Sequence, residues 1–180
     1  SEQARALGSV GLIYKNQEQY STALSYFQKA LKILDRKKDA NAIAITYSNM
    51  GLCESEMGDY DKALSFFNKA LAIDKEERDQ YGVAFDHFAI AETYNKQGKH
   101  HEALQYIGVS IGFFIELDDT QSLLACRILQ GQIYHQIGMS AKGLALLHTA
   151  ADSAQILGMR PLLKQAYQQA YQIYEDLGYT

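Results

Sequence analysis

The sequence predicts an all-α fold of stacked helical hairpins, and three observations carry that prediction. From Tyr47 to Lys75 two apolar-periodic segments flank a Gly-Asp turn: Tyr47, Met50, Gly51 and Met57 recur at helical spacing, then Ala63, Leu64, Phe67, Ala70 and Leu71 do the same. The pattern returns four times at a spacing of 40 residues, and no segment alternates as a strand would. A lone hairpin of this size cannot bury its apolar faces, so it requires neighbours of its own kind.

The first helix of each copy carries a small residue at Gly11, Gly51, Ala91 and Gly131. The second helix opens on Ala23, Ala63, Ala103 and Gly143, continues to a large apolar residue at Phe27, Phe67, Ile107 and Leu147, and has another small residue at Ala30, Ala70, Ser110 and Ala150. Small residues let two helix axes approach and seat the large residue of the opposite helix. The predicted helices run about 3–17, 20–35, 40–57, 60–77, 80–97, 100–117, 120–137, 140–157 and 161–177. Repeats therefore cover about 4–37, 40–77, 80–117 and 120–157 of one array spanning 1–180, with 161–177 as a further helix.

Stop and start signals repeat too. Gly58, Gly98, Gly138 and Gly178 fall where first helices end, as residues free to turn left-handed. Asp39, Asp79 and Asp119 fall where the next hairpins begin, as carboxylates able to accept from first-turn amides. Before the last helix Arg160-Pro161 replaces the aspartate, and proline suits a first helical position. In the fourth copy Arg127 and Gln130 replace apolar residues, which predicts looser or shifted packing, although Leu124, Leu129, Ile133, Tyr134 and Ile137 still make a face. Tyr167, Tyr171 and Tyr174 share a face expected to pack back on the fourth hairpin. The chain stops just after a hairpin turn, which reads as a fragment of a longer protein, or else as a capping helix.

A small residue in the first helix, a Gly-Asp-Tyr turn, and Ala-Leu followed by Phe and Ala, as in GDYDKALSFFNKAL, resemble the tetratricopeptide repeat. The usual unit is about 34 residues. Longer, forty-residue versions are similar to those of kinesin light chain, the LGN/Pins adaptors and Rap-type bacterial peptide receptors. The resemblance implies an α-α superhelix whose first helices line a concave wall.

Composition excludes several functions. At 47% apolar and 21% charged, with a net charge of −4, the chain has a globular make-up and no basic stripe for nucleic acid. Arg36-Lys37-Lys38 reads as a solvated helix end whose cations complement the dipole. Cys53 and Cys126 lack metal or disulfide spacing and read as buried thiols of a cytoplasmic protein. No signal peptide or membrane span is visible. The adjacent His100-His101 point about 100° apart, and His87, His135 and His148 stand alone, so no metal or other cofactor is expected. No phosphate loop or nucleophile motif occurs, which argues against an enzyme.

The resemblance places Arg5, Leu12, Lys15, Asn16, Ile45, Ser48, Asn49, Leu52, Phe85, Phe88, Glu92, Asn95, Ile128, Gln132, His135, Gln168 and Gln172 on the inner wall. In related adaptors an asparagine at the place of Asn49 grips a peptide main chain; the plain alternative is a surface amide without a partner. The clamp that some relatives use for a terminal carboxylate is absent, since its places hold Gly8 and Leu12, Asn49, then Phe85 and Ala89, and only Asn49 matches. The expected function is a scaffold holding a protein or peptide segment, with Asn49, Leu52, Phe85, Phe88, Asn95, Ile128 and His135 as contact residues. The alternative is a regulatory or sensor segment of a larger bacterial signalling protein with a kinase, cyclase or transcription-regulator domain. A weak homodimer through Phe113 and Phe114, beside the Gly108-x-x-x-Gly112 spacing, is a further expected contact.

Overall fold

A computed structural model describes residues 1–179. Among these residues the elements are α1 (Glu2–Asn16), α2 (Tyr20–Leu31), α3 (Ala40–Glu56), α4 (Tyr60–Glu77), α5 (Gln80–Lys96), α6 (His100–Glu116), α7 (Thr120–Gln136), α8 (Ser140–Ile156) and α9 (Arg160–Asp176), with no strand. Eight of the nine agree with the periodicity to within a residue or two; α2 does not.

Helix α2 stops at Leu31, about a turn before the apolar pattern ends, because the following residues find other partners. The Asp35 carboxylate accepts from the Lys37 amide at 2.8 Å, and Asp39 Oδ2 accepts from the Asp35 amide at 3.0 Å. Such local side-chain bonds offer the backbone an alternative to helix. Arg36-Lys37-Lys38 thus lies in a turn and not at a helix end, where Arg36 reaches Glu76 at 2.6 Å on the surface. Asp39 gives no side-chain cap to α3, whereas Asp79 accepts from Gly82 N at 2.9 Å and Asp119 from Ser122 N at 3.1 Å, as their spacing predicts.

Contacts gather into two compact units, one spanning Ser1–Thr93 and one beginning at Tyr94, within α5. In the first, α1 packs on α2, α2 on α3 and α3 on α4. The Phe27 ring occupies the space a side chain at Gly11 would need, and the Phe67 ring does the same at Gly51; a Cβ at either glycine would stand 2.6 Å from a ring carbon. Ala23, Leu24, Phe27, Met50 and Cys53 form one part of this core, and Ala40, Ile43, Ala44, Ala70 and Ile73 another.

In the second unit α6 packs on α7, α7 on α8, and α9 on both α7 and α8. Leu147 seats over Gly131 as the repeat predicts. Arg127 and Gln130 bond to each other at 2.9 Å, while Leu124, Leu129 and Ile133 stay buried, so α7 keeps its apolar face. On α9 the buried residues are Ala166, Ala170 and Ile173; Tyr167 and Tyr171 are exposed, contrary to the packing expected of them, and Tyr174 alone reaches back, through a 3.1 Å bond between its hydroxyl and His148 Nε2. Phe114 is only 2% exposed and therefore has no surface for the expected dimer contact. Gly108 and Gly112 face open space, with no neighbouring helix drawn close to them.

The turns are more regular than their sequences. Gly58, Gly98, Gly138, Gly158 and Gly178 have positive φ, and so do Glu18, Arg78 and Asp118 at corresponding places. After each, an amide reaches back five residues, as from Gln19 to Tyr14, Asp59 to Glu54 and Asp79 to Asp74, each at 2.9 Å. Among the described residues no helix is long and apolar enough to cross a membrane.

Candidate functional site

A cavity of about 310 Å³ opens in the first unit, walled by Lys15 of α1, by Ile45, Ser48, Asn49 and Leu52 of α3, by Asp74 near the end of α4, and by Asp79, Tyr81, Gly82 and Phe85 at the start of α5. Helix α3 brings Ile45, Ser48, Asn49 and Leu52 to one side because they recur at intervals of three and four residues. Beside it, a cleft of about 250 Å³ runs between α1 and α3, with Arg5, Leu12 and Ile45 among its lining residues.

Asn49 has partners already. Its Oδ1 accepts from Lys15 Nζ at 2.8 Å and its Nδ2 donates to the Ile45 carbonyl at 2.9 Å, so the amide is held in one orientation. Burial lowers the pKa of the Lys15 ammonium. Leu52 and Phe85 are half-buried and leave apolar surface toward the cavity.

At and behind the wall of this cavity lies a carboxyl pair that helical spacing does not single out. Asp86 is fully buried and Asp74 nearly so, and their carboxyls lie within hydrogen-bonding reach of each other. Ser48 Oγ donates to Asp86 Oδ1 at 2.7 Å. Burial, together with neighbouring carboxylates, pushes Asp86 up to about 7 and Asp74 up to about 6. A side chain at Gly82 would collide with the Asp74 carboxylate, so glycine is what admits that carboxylate to the wall. A signal was present in the 40-residue register: Asp74 stands where the other copies hold Leu34, Phe114 and Ala154, and Asp86 where they hold Thr46, Cys126 and Ala166.

The remaining expected contact residues are dispersed. Phe88 is half-buried on α5 but does not line the cavity. Ile128 is 1% exposed, packed with Leu147, Ala150, Ala166 and Ala170, and so belongs to the core and not to a binding wall. In the second unit Asn95 Oδ1 meets His100 Nδ1 at 2.8 Å and His135 Nδ1 meets Ser140 Oγ at 2.9 Å, different groups at the same two repeat positions 40 residues apart, each closing a hairpin turn. His135 Nε2 also meets Asp176 Oδ2 at 2.9 Å, a carboxylate from α9 that helical spacing within α7 does not reveal. Gln132, Gln168 and Gln172 do come together, along an open shelf with Lys164, Tyr167 and Tyr171.

Cys53 and Cys126 are free and fully buried, and burial raises both thiols to about 11. Among the described residues no three His, Cys, Asp or Glu side chains are arranged to hold a metal ion.

Residues 2–76 match the tetratricopeptide repeat family. No curated protein sequence matches the chain. Among solved structures, BtubC (BKLC) from P. vanneervenii is 20% identical over 96% of this chain and 72% of its own, with a TM-score of 0.79. Aspartyl phosphate phosphatase F from Bacillus subtilis is 19% identical over 97% of this chain and half of its own, with a TM-score of 0.82. Nearly identical TPR-like repeats from Podosopora anserina are 14% identical over 97% of this chain and 87% of their own, with a TM-score of 0.73. At these identities the likeness is one of fold.

Proposed function

We propose that this chain, a run of tetratricopeptide-type hairpins that matches the repeat family over residues 2–76, acts as a non-enzymatic scaffold holding a protein or peptide segment on its first helices. The supporting observation is the cavity where Asn49, Leu52 and Phe85 converge, because its walls come almost wholly from α1, α3 and α5. Binding would cover the half-buried Leu52 and Phe85, each contributing ~1–2 kcal/mol when fully enclosed. The Asn49 amide is fixed in place by Lys15 and Ile45, so it needs no ordering when it meets a partner's main chain. In the second unit Asn95 and His135 would contribute less, since each already fastens a turn.

The 40-residue period runs through α5 without a break, which supports reading all the hairpins as a single array. The two free buried thiols suit the reducing cytoplasm.

The test uses a peptide selected by display on the intact chain. The double variant Asn49→Ala, Phe85→Ala should weaken its binding by at least about tenfold with little change in thermal melting. Unchanged affinity in calorimetry would remove the cavity from the proposal.

A second reading, a sensor segment of a larger bacterial signalling protein, is favoured by the likeness to half of the Bacillus subtilis phosphatase chain. A kinase, cyclase or DNA-binding domain in the same gene would support it over a free-standing scaffold.

A further inference from the structure

The cavity of the first unit is chemically lopsided. Asp74 and Asp79 line it and Asp86 lies buried behind, whereas Lys15 is the one cation in the wall and its ammonium is engaged by Asn49. Asp86 is 0% exposed, Ser48 donates to its Oδ1, and no N–H or hydroxyl from outside the carboxyl pair reaches its buried Oδ2. Two buried carboxyls side by side repel when both are ionised, and a cation brought against them relieves that repulsion. Among the described residues they belong to no group of three or more His, Cys, Asp or Glu side chains placed to hold a metal ion. Tyr81 and Phe85 add aromatic faces, which favour a cation further.

We propose that this cavity receives the cationic head of a lysine or arginine side chain carried by the bound segment, set against Asp74 and Asp79 with the aromatic rings of Tyr81 and Phe85 beside it. The inference rests on the groove reading above and adds to it the chemistry of one partner residue. The volume, about 310 Å³, admits one long side chain. Gly82 keeps the Asp74 carboxylate open to the cavity, since any larger residue there would displace it.

Entry of the cation makes the proton shared by Asp74 and Asp86 unnecessary, and that proton passes to solvent. Binding therefore tightens as pH rises from about 5 to 8, the interval in which the pair loses it. Of the ionisable groups, Asp79 before α5 acts on both carboxyls, while Lys15 of α1 and Tyr81 of α5 line the same cavity; α3 contributes the neutral Ser48 and Asn49.

The experiment titrates the intact chain with four capped tripeptides, acetyl-Ala-Xaa-Ala-amide with arginine, lysine, norleucine or glutamate at the centre, followed by amide chemical shifts at pH 5.5 and 8. The expected result is that an arginine or lysine peptide shifts Asn49 and Gly82 and binds about tenfold tighter than norleucine at pH 8, with a smaller advantage at pH 5.5. Asp74→Asn should abolish that preference. Asp79→Asn, which preserves the cap on α5, should reduce it, and Leu52→Ala should weaken all peptides alike. Equal binding of arginine, lysine and norleucine would overturn the cationic pocket and leave the groove standing. A glutamate preference, or a preference unchanged in Asp74→Asn, would also overturn it. Peptides that shift no residue of the cavity would sink both readings.

Discussion

Gly51 lacks a side chain because the Phe67 ring stands where one would go, and Gly108, also helical, has nothing near it. The two positions predict opposite responses to the same substitution. Gly51→Ala should destabilise by about 1–2 kcal/mol, as overpacking against an aromatic ring outweighs the better helix propensity of alanine. Gly108→Ala should stabilise by about 0.5–1 kcal/mol. Urea denaturation measures both, and equal effects would deny the seating of Phe67. The small-and-large pairing was legible in the sequence because it repeats. Asp74 and Asp86 were not, since each occurs in one copy only and a carboxylate in a helical pattern ordinarily reads as a solvated face. Only alignment of the copies shows that those positions are interior. Their chemistry gives a pH prediction. Both carboxyls have folded-state values above the ordinary 3.8, so their stabilisation is present below about pH 4 and is lost as pH rises through 6 to 7. His87 acts in the opposite sense, because burial lowers its pKa and stability falls as it protonates. The difference between wild type and Asp86→Asn isolates the carboxyl contribution: the variant should gain several degrees in melting temperature relative to wild type between pH 5 and 8, and a constant difference would contradict the shared proton.

Among the elements, eight helices follow from apolar spacing and the ninth, α2, was misjudged at its end. Ile33 and Leu34 continue the apolar pattern, but the carboxylates of Asp35 and Asp39 satisfy amides in the turn and the helix closes at Leu31. Spacing is blind to such competition, because it records where apolar side chains fall and not which backbone groups find other partners. The aspartates that begin helices accordingly differ. Asp119→Ala removes an N-cap bond and should cost about 1 kcal/mol. In Asp39→Ala the loss should fall on the preceding turn, visible as faster amide exchange at Asp35 rather than at the start of α3. The glycine turns were legible, yet Glu18 adopts the same left-handed conformation at φ 60 with no glycine to announce it. There the closing bond from Gln19 to the Tyr14 carbonyl sets the geometry. Glu18→Gly should therefore stabilise by up to about 1 kcal/mol by thermal or urea unfolding, as relief of the left-handed strain exceeds the added freedom of the unfolded chain.

Across the whole molecule, one hairpin written four times explains both what the sequence conveyed and what it left out. Repetition determines how helices pair, and the differences between copies determine what each adds, as Asp74 and Asp86 do in one of them. Asn49, Leu52 and Phe85 meet in one cavity because α3 and α5 occupy equivalent places in successive repeats. Ile128 was misplaced for the complementary reason: its register partner Phe88 is half-buried, but in the second unit α9 and α8 close over Ile128 and take it into the core. A pattern read from one copy does not carry burial to another copy with different neighbours. The proposed role rests on first helices being the receiving surface, and the most direct test is the footprint of a display-selected peptide mapped by amide chemical shifts on the intact protein. The account predicts the largest changes at Ile45, Asn49, Leu52, Gly82 and Phe85. Changes centred on the exposed face of α4, with these residues unmoved, would contradict it.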